Sequence, residues 1–152
     1  MAWAIHALYA VPPEELGEGV VRMAAVLRPG GLGVVAQATS RSHYLVLYDA
    51  YRAAHAPTAT PFTTAERVDA ALRAAGAQPE RRTLAYRTEG DDRAVVEGFL
   101  QRCLFDDSLA LDAMLAPGPH GDELAAYLDG CRRGDRWTFE HEVDLLTWDA
   151  TG

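Results

Sequence analysis

The first 39 residues show a strand pattern, a helix pattern, a tight turn and a second strand pattern, and this order constrains the fold most. Ala2–Ala10 is almost wholly apolar, which is typical of a strand buried on both faces, although its many alanines would also fit a short helix. Pro13–Leu27 begins with a proline suited to a first helical turn and continues with apolar residues at helical spacing. A Gly30-Gly31 turn then leads into Leu32–Thr39. The order predicts a right-handed crossover between two parallel strands, the basic unit of α/β folds.

The rest of the chain continues to alternate between helix and strand patterns. Thr63-Thr64-Ala65-Glu66 is a capping box that opens one helix, and Gly76 closes it. Asp91 or Asp92 caps another helix. Thr138–Trp148 alternates as a long final strand with one wetter face. The other predictions are a helix at Ser40–Ala56, a strand at Arg82–Thr88, helices at Leu109–Leu115 and Leu124–Cys131, a loop at His120, and an inward face of Val95, Val96, Phe99, Leu100 and Cys103.

Composition excludes several classes of protein. With a formal net charge of -8 over 152 residues, the chain lacks the basic surface of a nucleic-acid binder or of a protein that docks on anionic membranes. No apolar run approaches the ~20 residues of a membrane span, and Cys103 and Cys131 are too few for a disulfide framework. All 14 basic residues are arginine, which indicates a high-GC bacterial genome and excludes lysine chemistry. These features predict a cytoplasmic, bacterial protein.

Two short motifs of the crossover are shared with a known family. His6-Ala7-Leu8-Tyr9 ends the first strand pattern, and Leu27-Arg28-Pro29-Gly30-Gly31 precedes the second. In this order they resemble the segment of class I S-adenosylmethionine-dependent methyltransferases that runs from the fourth strand to the fifth. Phe99–Phe105 and Thr138–Trp148 are most similar to the histamine N-methyltransferase branch. The resemblance covers nearly the whole chain. It implies an α/β fold, a truncated Rossmann-like half-sheet of strand order 4-5-7-6 with flanking helices, and a single domain, 1–152, equivalent to the C-terminal half of such an enzyme.

The sequence departs from this family where the family holds its cofactor. The family binds S-adenosylmethionine mainly through its first strand, a loop of GxGxG type and an acidic residue after the second strand. This chain begins at the fourth strand pattern and contains no GxGxG. Its densest glycine run, Gly30-Gly31-Leu32-Gly33, enters a strand, whereas a ligand-binding glycine loop opens a helix so that amide groups face the ligand. The implied cofactor is S-adenosylmethionine with an incomplete site, and no metal is expected.

The resemblance also implies roles for individual residues. His6 lies near the expected carboxyl end of its strand, where ligands bind in open α/β sheets, and is the candidate catalytic residue. Together with Ala7 and Leu8 it is the candidate cofactor contact. For each candidate the plainer interpretation is ordinary packing, because aromatic residues at helical spacing and a cysteine on an apolar helix face are typical of a core. The candidate acceptor-binding residues are Tyr9, His43, Tyr44, Tyr48, Cys103 and Phe105.

Acidic residues of the final strand raise the question of a metal site. On a strand, Glu140, Glu142 and Asp144 share one face and His141 points to the other. A hard cation would need further oxygen ligands. The favoured interpretation is a solvated or dimer-facing strand face.

The family's strand order would leave Ala2–Tyr9 as an edge strand with almost no polar cover. We therefore expect a partner at this edge, either a second copy or a protein that supplies the missing half. The expected function is the acceptor-side half of a methyltransferase of small-molecule, specialised metabolism. Three alternatives stay open. They are an S-adenosylmethionine-independent enzyme of isomerase or cyclase type, a non-catalytic pseudo-methyltransferase that binds a small molecule or partner protein, and a gene start set too far downstream.

Overall fold

The computed structural model describes residues 1–117 and 123–150 together with the backbone of Asp122. No helix in that part of the chain is long and apolar enough to cross a membrane. The predicted loop at His120 lies outside the described residues. In chain order the elements are β1 (Ala2–Ile5), α1 (Pro13–Ala25), β2 (Leu32–Ala38), α2 (His43–His55), α3 (Ala65–Ala74), β3 (Glu80–Gly90), α4 (Arg93–Leu104), α5 (Leu111–Leu115), α6 (Asp122–Gly130), β4 (Arg132–Arg133) and β5 (Arg136–Asp149).

The strands form one mixed sheet of order β1-β2-β5-β3, and β4 also pairs with β5. β1 and β2 run parallel, with Ala2–Ile5 beside Gly33–Ala36, and α1 lies between them in the chain. The predicted crossover between two parallel strands is therefore confirmed. β2 pairs antiparallel with β5, with Leu32–Ala38 beside Val143–Asp149. The architecture is mixed α/β, as the sequence predicts.

β1 is shorter than predicted. The sequence indicates a strand through Ala10, but β1 ends at Ile5 because His6 takes a left-handed backbone conformation with φ 50. A strand requires negative φ, so this residue ends the extended conformation. The amide of His6 still donates a hydrogen bond to the carbonyl of Ala36, at 2.9 Å, which keeps the end of β1 attached to β2.

The glycines between α1 and β2 make a tight turn. Gly30 has φ 72, and the amide of Gly31 donates to the carbonyl of Arg28 at 2.7 Å. A Cβ added at Gly31 would lie 2.8 Å from that same carbonyl oxygen. The space beside Gly31 is therefore filled by the chain's own backbone, as expected for a turn.

Two helix starts differ slightly from prediction. α2 begins at His43 instead of Ser40, because Thr39–Ser42 forms a turn in which the amide of Ser42 donates to the carbonyl of Thr39. α3 is capped by Thr64, whose side chain accepts from the amide of Arg67, and not by Thr63. The predicted caps at Gly76, with φ 87, and at Asp92, whose carboxylate accepts from two amides of α4, are confirmed.

Two predictions of burial are wrong. Val95 was expected to face inward on α4 but is 63% exposed. Asp144 was expected on a solvated face of β5 but is 0% exposed. Its carboxylate accepts a hydrogen bond from the hydroxyl of Thr83 at 2.6 Å and lies 3.2 Å from Nε of Arg81. The regular alternation of β5 breaks at Val143-Asp144, where two successive residues are buried.

The chain divides into two compact units. Unit 1 comprises Met1–Ser42, Phe62–Ala85 and Glu142–Gly152, and unit 2 comprises His43–Pro61 and Tyr86–His141. Each unit has its own hydrophobic core. The core of unit 1 contains Ala4, Leu16, Val20, Val35, Val68, Leu72, Leu146 and Trp148. The core of unit 2 contains Leu47, Ala50, Val96, Leu100, Cys103, Leu104, Leu111, Met114, Leu124, Leu128, Trp137 and Phe139.

Candidate functional site

The candidate site lies at the carboxyl ends of β1 and β2, within unit 1. His6 follows β1 directly, and its Nδ1 lies 2.6 Å from the hydroxyl of Tyr9. The two rings stack with centroids 5.8 Å apart and planes 16° apart. The left-handed backbone of His6 is uncommon for a residue with a side chain, and such strained positions cluster at functional sites. The His6–Tyr9 pair therefore lies at the edge at which open α/β sheets bind ligands.

Tyr9 is fixed from several sides. Its hydroxyl accepts a hydrogen bond from the amide of Ala38, at 3.3 Å. Its carbonyl accepts one from the amide of Thr63, at 3.0 Å, and its ring lies 5.6 Å from that of Phe62. Thr63 is held in turn because its hydroxyl donates to the carbonyl of Val11. The pair is thus anchored to β2 and to the segment that precedes α3.

Gln37 is a buried polar residue that the sequence analysis did not single out. It lies one residue before the end of β2 and is 0% exposed. Its Nε2 donates to the carbonyl of Thr63 at 2.7 Å, while its Oε1 has no partner within the part of the chain that the structure describes. A glutamine inside the apolar run Leu32–Thr39 is the feature that could have revealed it, because buried polar groups normally find partners.

Carboxylates hold the turn between β2 and α2. Glu142 accepts hydrogen bonds from the hydroxyl of Thr39 and the guanidinium of Arg41, and Glu66 accepts from the amide and hydroxyl of Ser40. The bond from Arg41, followed by that from Thr39, lowers the pKa of Glu142. Burial opposes ionisation of Glu66, but hydrogen bonds from Thr64, from its own amide and from Ser40 lower the pKa of Glu66 overall. Both groups are therefore carboxylates at neutral pH.

The imidazole of His6 is favoured in its neutral form. His6 lies at the surface, yet partial burial of its ring lowers its pKa below the ordinary value. No protein group bonds to Nε2 of His6 among the residues that the structure describes.

The remaining predicted acceptor-binding residues belong to unit 2. His43 is 1% exposed, and its ring lies 4.4 Å from that of Phe139 and 5.5 Å from that of Phe99. Its Nδ1 lies 2.7 Å from the hydroxyl of Tyr127, whereas its Nε2 is buried without a partner in the described chain. Burial, followed by the nearby His141, lowers the pKa of His43 to about 3. His43 is thus a neutral histidine within an aromatic cluster.

Three of the other candidates also line the core of unit 2. Tyr44 and Tyr48 are partly buried against it, and Cys103 lies within it, where burial raises the pKa of the thiol to about 11. Such a thiol is a poor nucleophile at neutral pH. Phe105 is 75% exposed in the left-handed cap of α4. The structure brings His6 and Tyr9 together in one cluster and places this second group in another unit.

The carboxylates of β5 do not gather into a metal site. Glu142 is bound to Arg41 and Thr39, Asp144 to Thr83 and Arg81, and Glu140 is exposed. In the described ranges, no three histidine, cysteine or carboxylate groups lie close enough to hold a metal ion.

The strain at His6 gives a first testable prediction. Replacing His6 with glycine removes the side chain and the cost of left-handed backbone, whereas alanine removes only the side chain. We expect His6→Gly to be more stable than His6→Ala by about 1 kcal/mol. Urea unfolding of both variants measures the difference, and equal midpoints would mean that the backbone at this position is not held left-handed.

The chain is a mixed α/β protein, and the His6–Tyr9 cluster lies at the carboxyl ends of the parallel strands β1 and β2. No family model and no curated protein matches the chain. A solved structure from Bacillus halodurans C-125, described as "a putative methyltransferase (BH2331)", is similar with a TM-score of 0.61 and 12% identity. The YcgJ protein from Bacillus subtilis is similar with a TM-score of 0.58 and 9% identity. In both, 99% of this chain is covered, and it spans 63% of the other chain's length. The fold is therefore methyltransferase-like.

Proposed function

We propose that this chain is the acceptor-side half of an S-adenosylmethionine-dependent methyltransferase of small-molecule, specialised metabolism, and that a second chain or copy completes its site. The observation that carries the proposal is the His6–Tyr9 pair at the carboxyl end of β1. This is the edge at which open α/β sheets bind ligands. The methyltransferase-like fold of the chain supports the choice of chemistry. His6, Ala7 and Leu8 are proposed to face the cofactor side, and Tyr9 the acceptor.

The glycine run that enters β2 does not fit the role of the family's cofactor-binding loop. The carbonyl of Arg28 occupies the space beside Gly31, and the ring of Trp148 occupies the space beside Gly33. Neither glycine leaves a cradle for a ligand, and both lie at or in β2 instead of opening a helix. We therefore assign no step of a methyl transfer to this chain alone and propose that the partner, whether a second chain or a second copy, supplies the cofactor contacts that these glycines do not make.

The proposal also identifies the strands with those of the family. β1, β2, β5 and β3 would correspond to the family's fourth, fifth, seventh and sixth strands, which gives the order 4-5-7-6. The chain would then be one domain, equivalent to the C-terminal half of such an enzyme and closest to its histamine N-methyltransferase branch. His43, Tyr44, Tyr48, Cys103 and Phe105 remain proposed only as residues that support the acceptor side.

The two outer strands of the sheet indicate where a partner would bind. β3, at one end of the strand order, carries the charged residues Glu80, Arg81, Arg82, Arg87 and Glu89, which discourage pairing with another chain. β1, at the other end, has no charged residue, and Trp3 is 68% exposed while Ile5 is also exposed. A second copy or a complementing protein would cover this apolar strand.

One observation favours a second function. Because the space beside Gly31 and Gly33 is filled by the chain's own atoms, an S-adenosylmethionine-independent enzyme or a non-catalytic binding protein would need no change at these two glycines. Either would use the His6–Tyr9 pair with a different ligand. The methyltransferase assignment is preferred because the fold is methyltransferase-like.

Native mass spectrometry of the purified chain, with and without S-adenosylmethionine, tests the proposal. We expect an assembly larger than the monomer that carries the cofactor. Trp3→Ser should dissociate it, because this residue is exposed on β1, whereas Val26→Ser alters an equally exposed apolar residue at the end of α1 and should not. An assembly without cofactor would favour the cofactor-independent alternative. A monomer would overturn assembly through a second copy.

A further inference from the structure

One face of the sheet in unit 1 has no helix of that unit packed on it. Ala4, Val35 and Leu146 lie side by side on β1, β2 and β5, and they pack into the core with residues of α1 and α3. In the described part of unit 1 these are the only two helices. Successive residues of a strand point to opposite faces, so the residues on either side of these three belong to the other face, here called the open face.

The open face is largely apolar. Two rows of paired residues cross it, and in both rows the residue of β1 is exposed. Contiguous apolar patches on a protein surface mark sites of interaction with other proteins, membranes or ligands. The exposed apolar side chains of the open face are Trp3, Ile5, Leu32 and Leu84, and Val34, Ala36, Leu145 and Thr147 lie between them and are partly buried.

The open face also carries a hollow between β5 and β3. The hollow has a volume of about 290 Å³, and its lining residues are Leu145, Thr147, Glu80, Arg81 and Arg82. Trp3 pairs with Val34, which pairs with Thr147, so Trp3 stands at the same level along the strands as the hollow. The open face thus has an exposed indole at one end of the strand order and a hollow near the other end.

We propose that two copies of the chain stack by their open faces, so that Trp3 of each copy enters the hollow of the other. The two-fold axis would run along the strands, between β2 and β5. A rotation about this axis turns the open face over, exchanges the position of β1 with that of β3, and keeps each residue at its level along the strands. It therefore places each Trp3 opposite the row of Thr147, and a self-complementary surface of this kind is what a two-fold dimer requires.

The charges on the two surfaces favour a second copy as the occupant. Copies of a chain with a net charge of -8 repel each other, so they can meet only where charge is low. The two rows that cross β1, β2 and β5 contain no charged residue. β3 adds one charge of each sign, at Glu80 and Arg82, and the rotation sets both opposite β1, which has none.

The contact of Trp3 with the hollow would supply much of the binding energy. An aromatic side chain buries about 150–250 Å² of surface, and an arginine beside an indole adds a cation–π attraction. Arg82 is exposed and makes no ion pair within the part of the chain that the structure describes, so its guanidinium is available for this contact. The inference goes beyond the proposed function, because stacking of the open faces needs no ligand.

Sedimentation velocity of the full chain over a range of concentrations, without S-adenosylmethionine, measures the dimer. We expect Trp3→Ala to weaken dimerisation by at least about 30-fold, the effect of losing one interface hot spot. Arg82→Ala should weaken it about tenfold. Arg87→Ala changes an exposed arginine of the same strand that does not line the hollow, and should have no effect.

Mixing two variants separates stacking of the open faces from pairing of two β1 edges. A two-fold dimer has two contacts between Trp3 and the hollow, and a dimer of either variant alone leaves neither contact intact. A mixed dimer of Trp3→Ala with Arg82→Ala keeps one intact contact, so the mixture should associate more tightly than either variant by itself. Pairing of β1 with β1 predicts no effect of Arg82→Ala and no such rescue.

Three results would overturn the inference. They are a wild-type monomer at every concentration, a dimer that Arg82→Ala leaves unchanged, and a mixture no tighter than its components. Trp3 and Arg82 are both exposed, so both variants should keep the circular dichroism spectrum of the wild type. A dimer that fails to bind S-adenosylmethionine would contradict the proposed function and leave this inference standing.

Discussion

The free energy of unfolding is expected to fall by about 2 kcal/mol between pH 7 and pH 5 because His43 is buried as a neutral imidazole. Burial and the nearby His141 lower the pKa of His43 to about 3, whereas an unfolded histidine titrates at the ordinary value of 6.5. Below pH 6.5 the unfolded chain therefore binds a proton that the folded chain does not. Acid favours the unfolded chain throughout the interval from about 6.5 to about 3.

The contribution of His43 can be isolated with two variants of α2. His43→Gln removes the titrating group, and urea unfolding at pH 7 and pH 5 should show a loss smaller by most of that amount. His55→Gln removes an exposed histidine at the other end of the same helix and should leave the loss unchanged. His141 and His6, whose pKa values burial also lowers, account for a residual loss of the same sign. If His43→Gln retained the full loss, burial of this imidazole would not be its cause.

Gly33→Ala is expected to destabilise the chain by about 3 kcal/mol, the upper end of the range for overpacking a core. Gly33 pairs with Trp148 across β2 and β5, and a Cβ at Gly33 would lie 2.2 Å from Cε2 of that indole. Carbon atoms do not approach so closely, so the indole would have to leave its place. Trp148 is buried in the core of unit 1 with Val35 and Leu146, so displacing it would disturb that packing.

The control for this prediction is a glycine with open space. Gly17 lies within α1, is exposed, and would bring a Cβ to within 4 Å of nothing outside its own helix. Gly17→Ala should stabilise the chain by roughly 0.5–1 kcal/mol, because alanine loses less backbone entropy in a helix. Urea unfolding compares the two variants. A Gly33→Ala variant as stable as the wild type would show that Trp148 does not lie over Gly33.

Much of the fold could be predicted because the relevant interactions are local. The proline at the start of α1, the carboxylate of Asp92 before α4 and the glycine after α3 act within one or two helical turns of themselves. The parallel pairing of β1 with β2 followed from the intervening helix pattern. Where prediction went too far, as in extending β1 to Ala10, the cause was one backbone angle at His6 that hydropathy does not encode.

The candidate site was predicted only in part. His6 and Tyr9 are three residues apart, so their nearness is nearly a local property once β1 ends. Gln37 was missed because its importance depends on Thr63, 26 residues away in the chain. The acceptor-binding role stays a prediction for five residues of unit 2, namely His43, Tyr44, Tyr48, Cys103 and Phe105.

The sequence alone predicts helix starts, turns and the alternation of strands with helices, because each of these features depends on a few neighbouring residues. The burial of polar groups could not be predicted from the sequence, because it depends on which distant segment covers them. Asp144 looked like a solvated strand residue until Thr83 and Arg81 were brought against it. His43 was predicted to line an acceptor pocket, with ordinary packing as the plainer interpretation, and in the structure Phe99, Tyr127 and Phe139 surround its ring. In both, long-range packing removes water from the polar group, so its partners come from distant parts of the chain.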